Sequence, residues 1–274
     1  MKKITLYLFI TTLFLTLSSC EKVIDLELDT APPKLVIDAS IKWQRGTTGS
    51  YQKIKLTTTT SYFSYTIPIV SGANVVVENS SNTVFNFTEL NASGEYICNN
   101  FIPVINETYK LTVTQNGQTY TATEKLYSTS EIEDIEQKTV SGFDGDQIQV
   151  KFLFQDNGSE NNYYLTTFKQ NNIAVPEFFA ESDEFYQGNK MFGFYTEDSL
   201  KPGNILDMSV QGISKKYYNF MQKLISISGN GGGNPFSTPP AALIGNIKNQ
   251  TDTNNPPLGF FSLGEVDTKV YTVQ

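Results

Sequence analysis

Carboxylates carry most of the acid–base chemistry open to this chain, because it has 28 Asp and Glu residues and no histidine. The missing imidazole excludes Ser-His-Asp and Cys-His catalysis, the usual zinc sites and histidine general-base chemistry together. A carboxylate-pair hydrolase is left, since glycosidases need only two Asp or Glu residues. Spacing along the chain singles out no such pair, and an acidic surface supplies many accidental ones. Hard cations are the other use of clustered oxygens. Asp144 and Asp146, and separately Asp156, Asn157 and Glu160, are candidate calcium ligands, although neither set has EF-hand spacing. Both sets also fit ordinary Asx turns, and no metal or other cofactor is expected.

Aromatic residues are the second resource, with 15 Tyr and 19 Phe. Most belong in cores and on strand faces. The loop aromatics Phe185, Tyr186 and Phe236 are the candidates for exposed binding contacts, where aromatics are enriched. Of the two cysteines, Cys98 lies in the alternating stretch Glu95–Asn99 and reads as a small core residue. Cys20 is different. It follows Lys2-Lys3, an apolar run from Ile4 to Leu17, and the small residues Ser18 and Ser19. A basic n-region and apolar h-region make residues 1–19 a secretory signal peptide, too short to span a membrane as a helix. Small residues before a cysteine at that point resemble a lipobox, which makes Cys20 the candidate lipidation site. Its acyl chains would anchor the mature chain to a bilayer.

Removing residues 1–19 takes away Lys2 and Lys3 and moves the formal charge from −8 to −10. That excludes nucleic acid as a partner, since such binding rewards clustered Lys and Arg. With Cys20 acylated no intrachain disulfide can form, so the body relies on its core.

The elements that position these residues read as β throughout. Residues 20–33 are an acidic tether ending in Pro32-Pro33, with a short edge strand over Val23–Leu28 as the other reading. Residues 34–127 alternate in short strands of immunoglobulin-like spacing, with Ile54 and Leu56, Val75 and Val77, and Phe85 and Phe87 on inward faces. Asn116-Gly117 between two alternating runs marks a hairpin. Residues 128–274 form a second β-rich domain. It opens with the polar, acidic stretch 127–146, followed by strand 147–156 and a turn into a returning strand at 162–171. Residues 178–198 show no clean period and read as loop with short strands. A helix is expected near 214–227, because Tyr217, Phe220, Met221 and Leu224 share one face and Ser214 suits its N-cap. Glycines at 229 and 231–233 lack the Lys-Ser/Thr of a phosphate loop and read as linker.

Several stretches together are similar to one family, the Bacteroidota lipoproteins grouped as "domain of unknown function 4249". They are CEKVIDLEL after the lipobox, KLVIDASI, PIVSGANVVVEN, SGEYICNNF, ETYKLTVTQNGQTYTATEKL, FQDNGSENNYYL, NPFSTPPAALIGNI and LGFFSLGEV. The closing segment departs from the family's Gly-x-Phe-Gly-Ala, reading Gly259-Phe260-Phe261-Ser262-Leu263-Gly264. The resemblance implies an N-terminal transthyretin-like β-sandwich. It also implies a lipid-anchored outer-membrane protein, facing the periplasm or the surface, working beside a TonB-dependent transporter. It implies no catalytic residue. The expected role is thus non-catalytic binding or accessory work in uptake. A structural or adhesive surface protein is the alternative, and a carboxylate hydrolase the second.

Overall fold

The computed structural model describes residues 32–61, 64, 66–142, 145–228 and 243–274. Cys20, Asp144 and Phe236 lie outside the described residues, as do the signal peptide and most of the tether. The first seven strands are β1 (Leu35–Gln44), β2 (Gln52–Thr58), β3 (Asn74–Asn79), β4 (Val84–Glu89), β5 (Glu95–Cys98), β6 (Thr108–Gln115) and β7 (Gln118–Tyr127). Then come β8 (Ile132–Gly142), β9 (Gly145–Gln155), β10 (Tyr163–Gln170), β11 (Glu177–Ser182), β12 (Lys190–Thr196) and β13 (Ile205–Ile213). Helix α1 (Lys215–Ser228) precedes β14 (Lys248–Asn249) and β15 (Leu258–Thr272). The fold is mostly β, with one helix among the described residues.

Alternation builds the first strands as expected. Ile54, Leu56, Val75, Val77 and Phe85 are buried, while Val84 points out. Asn116 and Gly117 both have positive φ, 48° and 72°, the conformation a two-residue hairpin turn requires. These strands and the start of β15 pair in a ring, in the order β15-β1-β2-β5-β4-β3-β6-β7. Nine residue pairs join β1 to β15 in parallel. The ring has two thin seams: Thr88 and Glu89 against Ile97 and Tyr96, and Leu263 and Gly264 against Leu126 and Tyr127. Inside sit Ile37, Ile41, Phe85, Tyr96, Phe101 and Tyr109, all essentially inaccessible. Cys98 joins this core, and burial pushes its thiol up. Trp43 sits at the rim, donating from Nε1 to the Thr47 carbonyl at 2.9 Å. Residues 243–263 return to this ring, contributing Ile247, Phe261 and Leu263 to its core.

Beyond Gly264, β15 exchanges β7 for β13 on one side, from Gln211 opposite Val266 to Ile205 opposite Thr272, while β1 stays paired with it as far as Val266. The sheet continues through β10 to β11, its edge. The crossing point is crowded. A Cβ on Gly212 would lie 1.8 Å from the Ser128 carbonyl oxygen, and one on Gly264 would lie 2.1 Å from that of Gly212. Only glycine lets the three backbones approach so closely. Residues Pro33–Gln274 accordingly form one compact unit.

A separate sheet, β12-β9-β8, covers one face of this extension. Phe152, Phe154, Tyr164, Phe168, Leu206 and Met208 fill the space between. Helix α1 covers the opposite face, with Met221 buried against Leu165, Ala180 and Ile213. Ser214 caps it by accepting the Tyr217 N–H at 3.1 Å, while its own hydroxyl donates to Glu124 at 3.0 Å. The helix lies where the spacing places it.

Two sequence expectations change. The strand at 162–171 does not return along 147–156. β9 pairs with β8 and β12, whereas β10 pairs with β11 and β13 in the other sheet. The connection arches across the core because Asp156 is buried there, accepting the Tyr164 hydroxyl at 2.7 Å and the Gly188 N–H at 2.8 Å. The acidic stretch after Tyr127 is strand β8, an outer strand whose charges face solvent, as edge strands favour. Residues 178–198 hold short strands around a turn, as expected: β11, which begins at Glu177, and β12.

Candidate functional site

β11 and β12 are edge strands of different sheets, joined by the turn 183–189. They meet along the open side of the second core. On β12, Met191 and Tyr195 point inward while Phe192 and Phe194 point out, 36% and 47% exposed. Aromatics on both faces are what erased the alternation in this segment.

At one end of the meeting line, Glu181, Ser182, Tyr186, Met191 and Phe192 enclose a groove of about 240 Å3. The Tyr186 and Phe192 rings stand at 84° with centroids 6.2 Å apart, forming two walls of a corner. Lys151 Nζ lies 4.9 Å from the Phe192 centroid and pairs with Glu136 at 3.3 Å. Burial alone pushes the Glu181 carboxyl up to about 7, and no charged or hydrogen-bonding neighbour among the described residues shifts it.

The turn that carries Tyr186 is held firmly. Asp183, almost fully buried, accepts the Asn162 N–H at 2.8 Å, and burial raises its pKa. Asp156 holds Gly188, and the Tyr186 carbonyl accepts the Asn189 N–H at 2.7 Å. Two buried carboxylates therefore fix the loop by accepting backbone N–H groups, the strong charge-assisted kind of bond.

At the other end, the Glu177 and Glu197 side chains are neighbours. Burial and this carboxyl neighbour push Glu177 up to about 7. Near them Tyr195 is pushed up to about 12 by burial and the two glutamates, and its hydroxyl donates to Gln170 at 3.2 Å.

The family comparison follows the same span. The family model described as "Domain of unknown function (DUF4249)" matches residues 21–270. The chain belongs to this family. No curated protein matches it significantly. Solved structures that it resembles include a cytokine receptor complex, at 8% identity, covering 68% of this chain and 86% of that one with a TM-score of 0.26. A two-domain fibronectin type III segment of chicken tenascin gives 11%, 66%, 90% and 0.22. A DUF4785 family protein of Legionella pneumophila gives 10%, 65%, 52% and 0.26. Likenesses this loose carry no argument about fold or function.

Within this DUF4249 chain, the described calcium candidates do not come together. Asp146 is exposed in the β8–β9 hairpin, where it accepts the Ser141 hydroxyl at 3.4 Å. Asp156 lies at the far end of β9, roughly 30 Å away at the rise of a strand. Asn157 Oδ1 accepts the Ser159 hydroxyl at 2.8 Å in a local turn, and Glu160 is exposed. Among the described residues no group of three Cys, Asp or Glu is arranged to hold a metal ion. Of the aromatic candidates, Phe185 is 87% exposed at the tip of the turn and Tyr186 lines the groove. Phe192 and Glu181 were missed; the signal for both was an aromatic strand without alternation facing an acidic one. No described helix is long and apolar enough to cross a membrane.

Proposed function

We propose that this chain is a lipid-anchored, non-catalytic binding component of an outer-membrane uptake system of Bacteroidota type. It is tethered through acylated Cys20 and works beside a TonB-dependent transporter. The observation that carries the binding role is the aromatic groove between the edges of β11 and β12, set on a turn pinned by Asp156 and Asp183. A recognition surface of this kind needs exposed rings on a rigid support. The signal peptide and the small residues before Cys20 support the anchor.

We also read the ring as a flattened, transthyretin-like sandwich. Its two seams of two residue pairs each support that reading, because they divide it into the layers β15-β1-β2-β5 and β4-β3-β6-β7.

Cross-linking the tagged native lipoprotein in mild detergent, followed by mass spectrometry of its partners, tests the role. One TonB-dependent transporter at near-stoichiometric amount is expected. Recovery of no transporter overturns the uptake role and makes the adhesive or structural reading the better one.

A further inference from the structure

We propose that the groove between Glu181, Tyr186 and Phe192 is a binding site for an organic ammonium cation, a primary or methylated amine head group. This deepens, and rests on, the binding role proposed above.

Size sets the first limit. The groove's volume of about 240 Å3 lies below the roughly 300–1,000 Å3 of sites that hold drug-sized molecules, so its occupant is a small head group. Shape sets the second. Sugar rings stack on flat aromatic platforms, whereas Tyr186 and Phe192 stand edge to face at 84°, a right-angled corner with no flat platform. Ring faces carry the negative end of the aromatic quadrupole, and cages of such faces hold ammonium groups.

Charge sets the third. Glu181 presents a carboxyl to the same groove with no cation beside it among the described residues, and burial alone raises its pKa. A buried carboxylate without a partner is costly. An entering ammonium supplies the missing charge, so the carboxylate and the cation each offset the other's desolvation. Lys151 does not fill this role: it lies over Phe192 and is paired with Glu136. The Met191 thioether completes the wall as a polarizable surface.

The test is a titration of the purified full-length lipoprotein with choline, its uncharged carbon isostere dimethylbutanol, and methyl glucoside. Choline is expected to bind saturably and at least about ten-fold more tightly than the isostere. Glu181→Gln, which keeps shape and removes charge, is expected to weaken choline about ten-fold while leaving the melting profile cooperative. Tyr186→Leu is expected to weaken choline similarly, and Phe185→Ala at the exposed tip to leave it unchanged. Equal binding of choline and dimethylbutanol, a Glu181→Gln variant with unaltered affinity, or no choline binding overturns the proposal. Preference for methyl glucoside also overturns it, in favour of a sugar platform. The titration needs no transporter, so its failure and the failure of the uptake reading are separately visible.

Discussion

The ring and the extension that grows out of it solve the same problem in opposite ways. Both are β-structure around an aromatic core, with Phe85, Phe101 and Tyr109 in one and Phe152, Phe168 and Tyr164 in the other. The ring closes, so each of its strands finds a partner on both sides. The extension leaves β11 and β12 as edges of two different sheets. Unpaired edges are a liability that proteins cover, charge or use. Here one flank, β8, is charged, while β12 carries exposed Phe192 and Phe194. On the proposed function, the ring is the scaffold and the extension carries recognition.

The hardest way to break that division is at the crossing of β13 and β15. Gly212→Ala places a Cβ within 1.8 Å of the Ser128 carbonyl oxygen, where only backbone can yield. A loss of more than about 5 kcal/mol, or failure to fold, is expected in urea unfolding. A loss below about 1 kcal/mol would mean that the two regions are not locked together there.

Core truncation sharpens the same point. Phe85→Ala in the ring and Phe152→Ala in the extension are each expected to cost about 3–5 kcal/mol. Because β15 belongs to both regions, both variants are expected to shift a single transition. Two separate melting steps in Phe152→Ala would show that the regions fold independently.

The next effect is smaller and depends on pH. Glu181 titrates at about 7 in the folded chain, above its ordinary value of 4.5. A raised folded pKa means that the native state holds its proton longer than the unfolded chain does. Its stabilising effect is therefore complete below about pH 4.5 and is lost as pH rises through 7. Glu177 acts in the same direction. Glu181→Gln is expected to match the parent chain near pH 4.5 and to exceed it by about 1–3 kcal/mol at pH 8. Equal stability at both pH values would place Glu181 in ordinary solvent.

The smallest effect on stability belongs to Phe185. It is 87% exposed, so Phe185→Ala is expected to change stability by less than about 0.5 kcal/mol. A larger loss would make the turn tip part of the scaffold.

The ring was legible in the sequence because one face of each strand is wet. Polar residues alternate with Val75 and Val77 or Ile54 and Leu56, and period two shows through. Helix α1 was legible for the same reason, with Ser214 marking its start. In the extension strands β9 and β10 were legible, but not their partners. β12 has aromatics on both faces, and β8 carries charge where a boundary was expected. Nor did the turn residues at 156–159 say which strand would come next. Asp156 reads as a surface Asx residue, yet its carboxylate is committed to Tyr164 and Gly188, partners distant in sequence. Tyr186 was nameable because it sits among turn residues. Its neighbours Glu181 and Phe192 were not, because only the pairing of sheets brings two edges together.

The central claim is that recognition sits on the extension and not on the ring. Site-specific photo-cross-linking in native cells tests it most directly, with the reactive group placed at Phe185 in one strain and at the exposed ring position Val84 in another. Capture of a TonB-dependent transporter at near-stoichiometric amount from position 185, and none from 84, is the predicted result. Capture from 84 alone, or equally from both, would contradict the division of labour.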